Sequence, residues 1–329
     1  MIGLHEVAKL SGVSKSTVSR VINNEYGVKA STKEKVQKAI ESCGYVANQI
    51  ARDLKSQKTN LIGVIVPTMS SNASAQGLNG ISQVIESVGK HVLLANSQMI
   101  HEKEIEYIKR FNQKRVEGIL LFATHLDAEL VKTIKQSTVP VVLIGQDGSL
   151  FNIPSIIHDD LSVGFSAGLR LVEAGASNIG FIGVNQQDIA VDQCRFQGLQ
   201  QYLQHAKQSA PIFHSRGEFT IESGFKQTQQ LLLDWPQLDG LFCATDRIAI
   251  GAMKAIVAAN KVSGKDIKVL GVGNDELAQV STPSLSTFSY SFDLTGKKSA
   301  QLLLELIENK HNEVSKVVMG FENIFRESC

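Results

Sequence analysis

Residues 61–329 alternate short apolar runs with segments of helical periodicity. The runs are rich in Val, Ile and Leu and span 61–67, 91–95, 118–122, 139–145, 179–184, 240–243 and 268–271. Short strands separated by helices form βαβ units, in which parallel strands are buried on both faces of a sheet. Because roughly 270 residues of this pattern is long for one sheet, the sequence predicts an α/β fold with two lobes.

The N-terminal residues carry a different pattern, that of three short helices. Apolar residues recur at helical spacing over 4–11, and Gly12 ends this segment. Ser14 stands at the N-cap position of a second helix over 15–22. The Ser-x-x-Glu spacing of 31–34 predicts a capping box for a third helix that ends at Gly44. The sequence predicts a three-helix headpiece.

A short connecting segment separates this headpiece from the βαβ region. Residues 48–55 have an amphipathic pattern, and the run that follows them over 56–60 is entirely polar. We therefore predict three parts: a headpiece at 1–47, a hinge helix and linker at 48–60, and a two-lobed core at 61–329.

The charge of the chain is concentrated at one end. Residues 1–60 contain ten Lys and Arg against five Asp and Glu, whereas the net charge of the whole chain is only +1. Cations that neutralise phosphates release condensed counterions, so a basic segment supports affinity for nucleic acid. The asymmetry indicates a nucleic-acid-binding module, although a lysine-rich solvated face gives the same count.

Residues 7–23, which read VAKLSGVSKSTVSRVIN, resemble the helix-turn-helix of the lactose-repressor family. The resemblance implies that the second helix enters the major groove of double-stranded operator DNA, where Lys15 and Ser16 read base edges. Arg20 is suited to a bidentate contact with guanine, and the expected phosphate-binding or orienting residues are Ser14, Thr17, Ser19 and Asn23. The alternative is a generic polar helix face, which would not require the spacing of Gly12 and Ser14.

Residues 48–55 resemble the hinge helix of the same family. The resemblance implies that this helix folds on DNA and inserts Leu54 into the minor groove, with Asn48 and Lys55 as further DNA contacts. An apolar side chain inserted at a base step unstacks the bases and kinks the duplex. The alternative is that Leu54 is an interdomain packing residue.

The rest of the chain resembles the periplasmic-binding-protein-like core of this family. In that fold a small ligand lies between the lobes, on loops that follow the carboxyl ends of strands. The resemblance implies that Arg195 binds sugar hydroxyls and that Phe219 stacks under a pyranose ring. The other expected effector-binding residues are Asn72, Phe122, Gln146, Thr245, Asp246, Asn274, Tyr290 and Phe292. Taken singly, any of them is equally well a core or surface residue.

One departure from the family pattern bears on the effector. Where the family usually has Phe-Asp-Asp, this chain reads Gly-Val-Gly-Asn-Asp over 271–275, so a hydroxyl-binding carboxylate is replaced by glycine. The trehalose-repressor branch also carries a glycine-asparagine pair here, but over the whole chain the resemblance is greatest to sucrose-operon repressors. The resemblance favours a repressor released by sucrose, a related disaccharide or fructose. The alternative is a repressor that responds to trehalose 6-phosphate or another sugar phosphate. The sequence does not determine whether the effector releases the protein from DNA or promotes DNA binding.

A serine hydrolase is the alternative class of protein. The segment from Gly164 to Gly168 fits the Gly-x-Ser-x-Gly pattern around Ser166. A nucleophile elbow needs a strand that runs into the turn, whereas 161–175 has the pattern of one continuous helix. We therefore expect no enzymatic activity and no catalytic residue.

The remaining features limit cofactors, location and assembly. The four cysteines lie far apart with no CxxC pair, so the sequence predicts neither a metal site nor a cofactor. The N-terminal residues lack the pattern of a signal peptide, and no apolar run reaches the roughly 20 residues of a membrane span. We expect a cytoplasmic protein without membrane contact. Because one helix-turn-helix reads one half-site, we also expect a homodimer.

Overall fold

The computed structural model describes residues 3–22, 25–44, 59–207, 212–309 and 316–329. Two compact units make up the chain, Met1–Thr59 and Asn60–Cys329. Residues 48–58 of the predicted hinge lie outside the described residues. None of the helices within these ranges is long and apolar enough to cross a membrane.

The first unit contains the three predicted helices, α1 (Leu4–Ser11), α2 (Lys15–Ile22) and α3 (Ala30–Cys43). They enclose a small core formed by Val7, Ala8, Val18, Val36 and Ala39. Gly12 ends α1 with a φ of 67°, in the left-handed region that favours glycine. The predicted N-cap of α2 is confirmed, because the Ser14 hydroxyl accepts a hydrogen bond from the Thr17 amide at 3.1 Å.

The predicted capping box of the third helix is wrong. Lys29 occupies the N-cap position of α3 and makes no side-chain capping bond, although its carbonyl accepts from the amides of Thr32 and Lys33. Ser31 is therefore already helical, and it lacks the extended backbone that a capping residue adopts. The helix ends at Gly44, as the sequence predicts.

The second unit is built on two six-stranded sheets, which confirms the predicted α/β fold with two lobes. The N-lobe sheet has the order β11-β5-β4-β3-β1-β2 and is parallel throughout. Its strands are β1 (Leu61–Val66), β2 (His91–Asn96), β3 (Gly118–Phe122), β4 (Val141–Ile144), β5 (Ser155–His158) and β11 (Lys316–Met319).

The C-lobe sheet has the order β12-β10-β9-β8-β6-β7 and is parallel except for its edge strand β12. Its strands are β6 (Ile179–Gly183), β7 (Phe213–Arg216), β8 (Gly240–Cys243), β9 (Lys268–Val272), β10 (Ser286–Tyr290) and β12 (Phe321–Ile324). The chain passes between the lobes after β5, after β10 and after β11. The lobes are thus joined by three short connections.

Helices cover both sheets. Those of the N-lobe are α4 (Asn72–Ser87), α5 (His101–Gln113), α6 (Ala128–Lys135) and α12 (Phe292–Ile307). Those of the C-lobe are α7 (Asp160–Glu173), α8 (Arg195–His205), α9 (Ile221–Asp234), α10 (Asp246–Ala258) and α11 (Glu276–Val280), with a π-helical turn at Ile189–Cys194. Because the strands lie between helix layers, β1, β4, β6 and β8 are buried almost throughout, which explains their continuous apolar sequences.

The seven predicted strands are present, but five others lack the apolar signal. β7 and β11 are partly exposed edge strands, and β5 is only four residues long. β10 is buried, yet it reads Ser-Thr-Phe-Ser-Tyr, and its hydroxyl groups find hydrogen-bond partners only in the folded protein. The composition of such a segment does not predict a strand, because its strand conformation depends on pairing with neighbouring strands in the sheet.

Three helix pairs pack through reciprocal glycine contacts, α4 with α12, α7 with α8, and α9 with α10. In each pair, a methyl group on either glycine would lie 2.0 to 2.1 Å from a backbone carbonyl oxygen of the partner helix. The glycines are Gly80 and Gly296, Gly164 and Gly198, and Gly224 and Gly251. The close approach fixes the position of α8, whose first residue is Arg195.

We predict that Gly164→Ala destabilises the core, because its methyl group would lie 2.0 Å from the Arg195 carbonyl oxygen. Overpacking of this kind costs about 1–3 kcal/mol. The free energy of unfolding from urea titration measures the effect. Ser166→Ala, on the same helix, is the matched control and should change stability by less than about 0.5 kcal/mol. Equal stability of Gly164→Ala and the control would contradict the packing argument.

Candidate functional site

The exposed face of α2 presents the side chains that the sequence assigns to DNA. Lys15, Ser16 and Arg20 are exposed, whereas Val18 on the opposite face is fully buried. Ser14 and Thr17 lie beside Ser16. The hydroxyl oxygens of Ser14 and Thr17 are 2.9 Å apart. Residues with hydroxyl and cationic groups therefore share one accessible helix face, which suits contacts to base edges and phosphates.

Other residues assigned to DNA are less accessible or not described. Thr17 and Ser19 are half-buried on α2. The guanidinium of Arg20 lies 3.8 Å from the Glu25 carboxylate, an exposed ion pair that contributes little stability and can open for a phosphate or base. The remaining predicted DNA contacts, Asn23, Asn48, Leu54 and Lys55, lie outside the described residues.

In the core, Arg195 forms a buried ion pair with Asp160. Its Nε and Nη2 atoms lie 2.8 and 2.7 Å from the same carboxylate oxygen of Asp160, and Nη1 donates to the Ala244 carbonyl. Tyr290 donates to that carboxylate oxygen at 2.8 Å. Burial alone would lower the pKa of the Arg195 guanidinium, but the Asp160 carboxylate raises it above its usual value. Arg195 is therefore a fixed cation, held at the start of α8.

His158 connects this ion pair to the N-lobe. Its ring stacks on Tyr290 with the ring centroids 4.2 Å apart, and the Phe292 ring meets it edge-on. The Nε2 atom of His158 lies 3.1 Å from the Thr295 hydroxyl. Burial lowers the pKa of His158 to about 4, so the imidazole is neutral near pH 7. His158 ends β5 and Tyr290 ends β10, so this contact lies where two of the connections cross between lobes.

Gln146 makes a second contact between the lobes. Its amide nitrogen donates to the Thr124 carbonyl at 3.1 Å within the N-lobe, and to the Asp188 carboxylate of the C-lobe at 2.8 Å. Burial raises the pKa of Asp188 to about 6. A neutral amide and a carboxyl group thus face each other across the cleft, close to the Arg195 ion pair.

Asp246 occupies the space that the glycines at 271 and 273 leave open. A methyl group at Gly271 would lie 2.2 Å from its carboxylate oxygen, and Gly273 has a φ of 130°. Thr287 and the amide of Asp275 donate to this carboxylate at 2.5 and 2.7 Å. Burial raises the pKa of Asp246 to about 6. Gly271 and Gly273 therefore both lie against the buried carboxylate of Asp246.

The other predicted effector residues are not brought into contact with Arg195. Phe219 packs against the C-lobe core, and Phe122 packs against the N-lobe core beside Gly77. The Asn72 amide accepts from Gln76, whereas Thr245 caps α10. The Asn274 side chain is bound by Arg326 at 2.7 Å. Of the predicted residues, Arg195, Tyr290 and Phe292 join one cluster, in which the Phe292 ring meets the Tyr290 ring edge-on.

Sequence reasoning missed three residues of the cleft, namely Asp160, His158 and Asp188. Asp160 and His158 follow the apolar pair Ile156 and Ile157 of β5, which is too short to be predicted as a strand from its sequence. Polar residues directly after an apolar run are the available signal, because ligand sites in α/β proteins lie at the carboxyl ends of strands. Asp188 follows a loop after β6 and carries no comparable signal.

Ser166 does not occupy a nucleophile elbow. It lies within α7, and its flanking glycines make helix contacts, Gly164 with the Arg195 carbonyl and Gly168 with the Tyr202 side chain. The Gly-x-Ser-x-Gly spacing is explained by close helix packing, in agreement with the predicted continuous helix.

A helix-turn-helix unit and a two-lobed α/β unit with polar residues at its strand ends together define a ligand-responsive regulator of transcription. The family model for the bacterial regulatory proteins of the lacI family matches residues 3–48. A model for the periplasmic binding protein-like domain matches residues 169–329.

Known regulators of transcription are similar to this chain over almost its full length. The sucrose operon repressor of Staphylococcus xylosus is 30% identical over 326 residues, which cover 98% of this chain and 100% of that protein. The lac repressor dimer bound to operator and the anti-inducer ONPF superposes with a TM-score of 0.92 at 26% identity, over 99% of this chain and 98% of that one. The transcriptional regulator CelR in complex with cellobiose has a TM-score of 0.76 at 26% identity, with full coverage of both chains.

The chain belongs to the lacI family of bacterial regulatory proteins. It is a DNA-binding transcriptional repressor, and the proteins of this family are regulators and not enzymes.

We predict that His158 makes the stability of the core fall as the pH falls. The unfolded chain binds a proton at His158 near the ordinary pKa of 6.5, whereas the folded protein binds it only near 4. Acidification from pH 7 to pH 5 therefore stabilises the unfolded state by about 2 kcal/mol through this residue.

His158→Gln, which keeps a hydrogen-bonding group but does not titrate, should lose about 2 kcal/mol less than the wild type between these two pH values. Urea titrations at both pH values measure the difference. His205→Gln, at an exposed position on α8, is the control and should follow the wild type. If wild type and His158→Gln had the same pH dependence of stability, burial would not lower the pKa of His158.

Proposed function

We propose that this chain represses a sugar-utilisation operon and that a neutral sugar, sucrose or a related disaccharide or fructose, releases it from its operator. The observation that carries the proposal is the polar cluster of Asp160, Arg195 and Tyr290 at the lobe connections, with Gln146 and Asp188 facing each other nearby. Amides, carboxylates and a fixed guanidinium beside aromatic rings are the groups that bind sugar hydroxyls and sugar faces.

The similar proteins support a sugar as the effector. The 30% identical relative is a sucrose operon repressor, and one superposed regulator is complexed with cellobiose, a disaccharide. Both likenesses extend over the complete core. Sucrose is accordingly the first sugar to test, with fructose as its smaller component.

The charges of the cleft favour a neutral sugar over a sugar phosphate such as trehalose 6-phosphate. The positive charge of Arg195 is already matched by Asp160, and Asp188 and Asp246 add further carboxyl groups. A phosphate dianion would meet repulsion there and would need a cation that is not already paired. Glycine at 273 removes the usual carboxylate, but Asp246 lies directly behind it.

We further propose that the repressor acts as a homodimer on a two-fold symmetric operator. One α2 helix reads one half-site, and the similar lac repressor structure is a dimer bound to operator. The proposed hinge contacts of Asn48, Leu54 and Lys55 belong to this assembly, with Leu54 as the minor-groove wedge. Sugar binding would weaken DNA binding only to the extent that the sugar binds the two states of the core differently.

We predict that Lys15→Ala and Ser16→Ala each weaken binding to the operator by about 1–3 kcal/mol for each lost base contact. The operator is first selected from random duplexes, and affinity is then measured by fluorescence anisotropy on operator and on scrambled DNA. Lys38→Ala, on α3, removes an exposed lysine away from α2 and should retain operator specificity. If both α2 variants bind the operator like the wild type, the assignment of α2 to base readout is wrong.

We predict that Arg195→Lys keeps operator affinity but responds poorly to sugar. The lysine can still pair with Asp160, but it lacks the planar fork that donates several hydrogen bonds at once. Since hydrogen bonds to charged groups contribute about 1.5–3 kcal/mol, half-release should need roughly ten to a hundred times more sugar. Release is measured on operator DNA with sucrose, fructose, trehalose and trehalose 6-phosphate.

Arg110→Lys is the matched control, because this arginine is exposed on α5 and pairs only with Glu106 in its described contacts. It should respond to sugar like the wild type. An unchanged sugar response of Arg195→Lys would remove Arg195 from the effector site. Release by trehalose 6-phosphate alone would favour the sugar-phosphate alternative.

A further inference from the structure

A group of two histidines and two acidic residues lies in the N-lobe, outside the site described above. His101 is the first residue of α5, and Glu104 lies in the first turn of that helix. His125 and Asp127 lie on the loop between β3 and α6. The rings of His101 and His125 stack with their centroids 3.8 Å apart. One ligand atom from each of His101, His125 and Asp127 lies within 4.8 Å of the others.

Several polar atoms of this group are buried without a hydrogen bond. Both ring nitrogens of His101 and one carboxylate oxygen of Glu104 lack a partner of hydrogen-bond geometry. Glu104 is completely buried, and its other oxygen accepts from the Thr124 amide at a distance of 3.3 Å. Buried polar atoms in folded proteins are nearly always satisfied, so atoms left over in one place indicate a missing ligand.

We propose that His101, His125 and Asp127 bind a divalent cation of the zinc class and that Glu104 positions His101. Imidazole nitrogens with one carboxylate oxygen are a donor set that suits zinc. Metal-to-ligand distances of about 2.0–2.2 Å place tetrahedral ligand atoms about 3.3 Å apart. Binding of one ion therefore requires the His101 and His125 rings to rotate out of their stack so that one nitrogen of each faces the ion.

The orientation of His101 fits this role. Its Nδ1 atom faces the Glu104 carboxylate at 3.7 Å, and its Nε2 atom faces an Asp127 oxygen at 3.2 Å. A proton on Nδ1 directed at Glu104 leaves the lone pair of Nε2 for a cation, as in the carboxylate–histidine–zinc arrangement. The other oxygen of Asp127 caps α6 by accepting from the Leu130 amide at 2.7 Å, so only one oxygen is directed towards the cation.

The position of the site suggests what the cation would do. Thr124 lies between the ligand loop and the cleft, because its amide binds Glu104 and its carbonyl binds Gln146. The same Gln146 amide reaches Asp188 in the other lobe. A cation that fixes this loop would therefore fix one side of the contact between the lobes. Three protein ligands leave a fourth position for water.

The test uses the full-length protein without an affinity tag, freed of metal by a chelator. Zinc chloride is titrated against a chromophoric chelator, and cobalt chloride is added separately to record the visible absorption of four-coordinate cobalt. We expect one zinc ion per chain with micromolar or tighter affinity, and a rise in the thermal unfolding temperature on zinc addition.

The variants separate this site from adventitious binding. His125→Ala and Asp127→Asn should lose most of the zinc affinity and the cobalt absorption, and the asparagine retains an oxygen to cap α6. Glu104→Gln should lower zinc affinity about 10- to 100-fold, as expected for a residue that orients a ligand. His205→Ala removes an exposed imidazole from the C-lobe and should bind zinc like the wild type.

Absence of stoichiometric zinc binding by the wild type would overturn the proposal. So would zinc affinity and cobalt spectra in His125→Ala and Asp127→Asn that equal those of the wild type. Operator binding and sugar release are repeated on the metal-free protein, so that they are measured independently of zinc binding. Failure of one proposal is therefore distinguishable from failure of the other.

Discussion

The buried ion pair between Arg195 and Asp160 is the constraint on which the arrangement of the cleft depends. Both charges are almost completely removed from water, and Tyr290 completes the coordination of the carboxylate. Removal of one partner of such a pair typically costs about 3–5 kcal/mol, because the other is left charged and buried. The pair therefore holds the start of α8, the end of β10 and the first lobe connection in one place.

Glycine packing makes this position of Arg195 possible. Gly164 and Gly198 bring α7 and α8 so close that backbone touches backbone, and α7 begins at Asp160. The same reciprocal contact recurs between α4 and α12 and between α9 and α10. Since α12 follows the second lobe connection, the same kind of contact fixes helices on both sides of the cleft. A sugar that changes the arrangement of the two lobes must do so while these helix pairs stay closely packed.

The site was only partly predictable from the sequence. The face of α2 was predictable, because helical periodicity, Gly12 and Ser14 define which side chains point away from Val18. Arg195 and Tyr290 were expected in the core site, whereas their partner Asp160 was not. An ion pair between residues 35 positions apart has no local signature, and the strand that precedes Asp160 is too short to stand out.

Sequence alone determined the fold class, because buried parallel strands need continuous apolar runs and the headpiece helices need a 3.6-residue period. Tertiary structure decided which polar residues meet. It placed Ser31 inside α3, bound Asn274 to Arg326, and buried Asp246 against Gly271. It also brought His101 together with His125, where the spacing of the sequence predicted no metal site. The physical reason is that periodicity reports which face of an element is buried, whereas contacts between polar side chains depend on how distant elements pack.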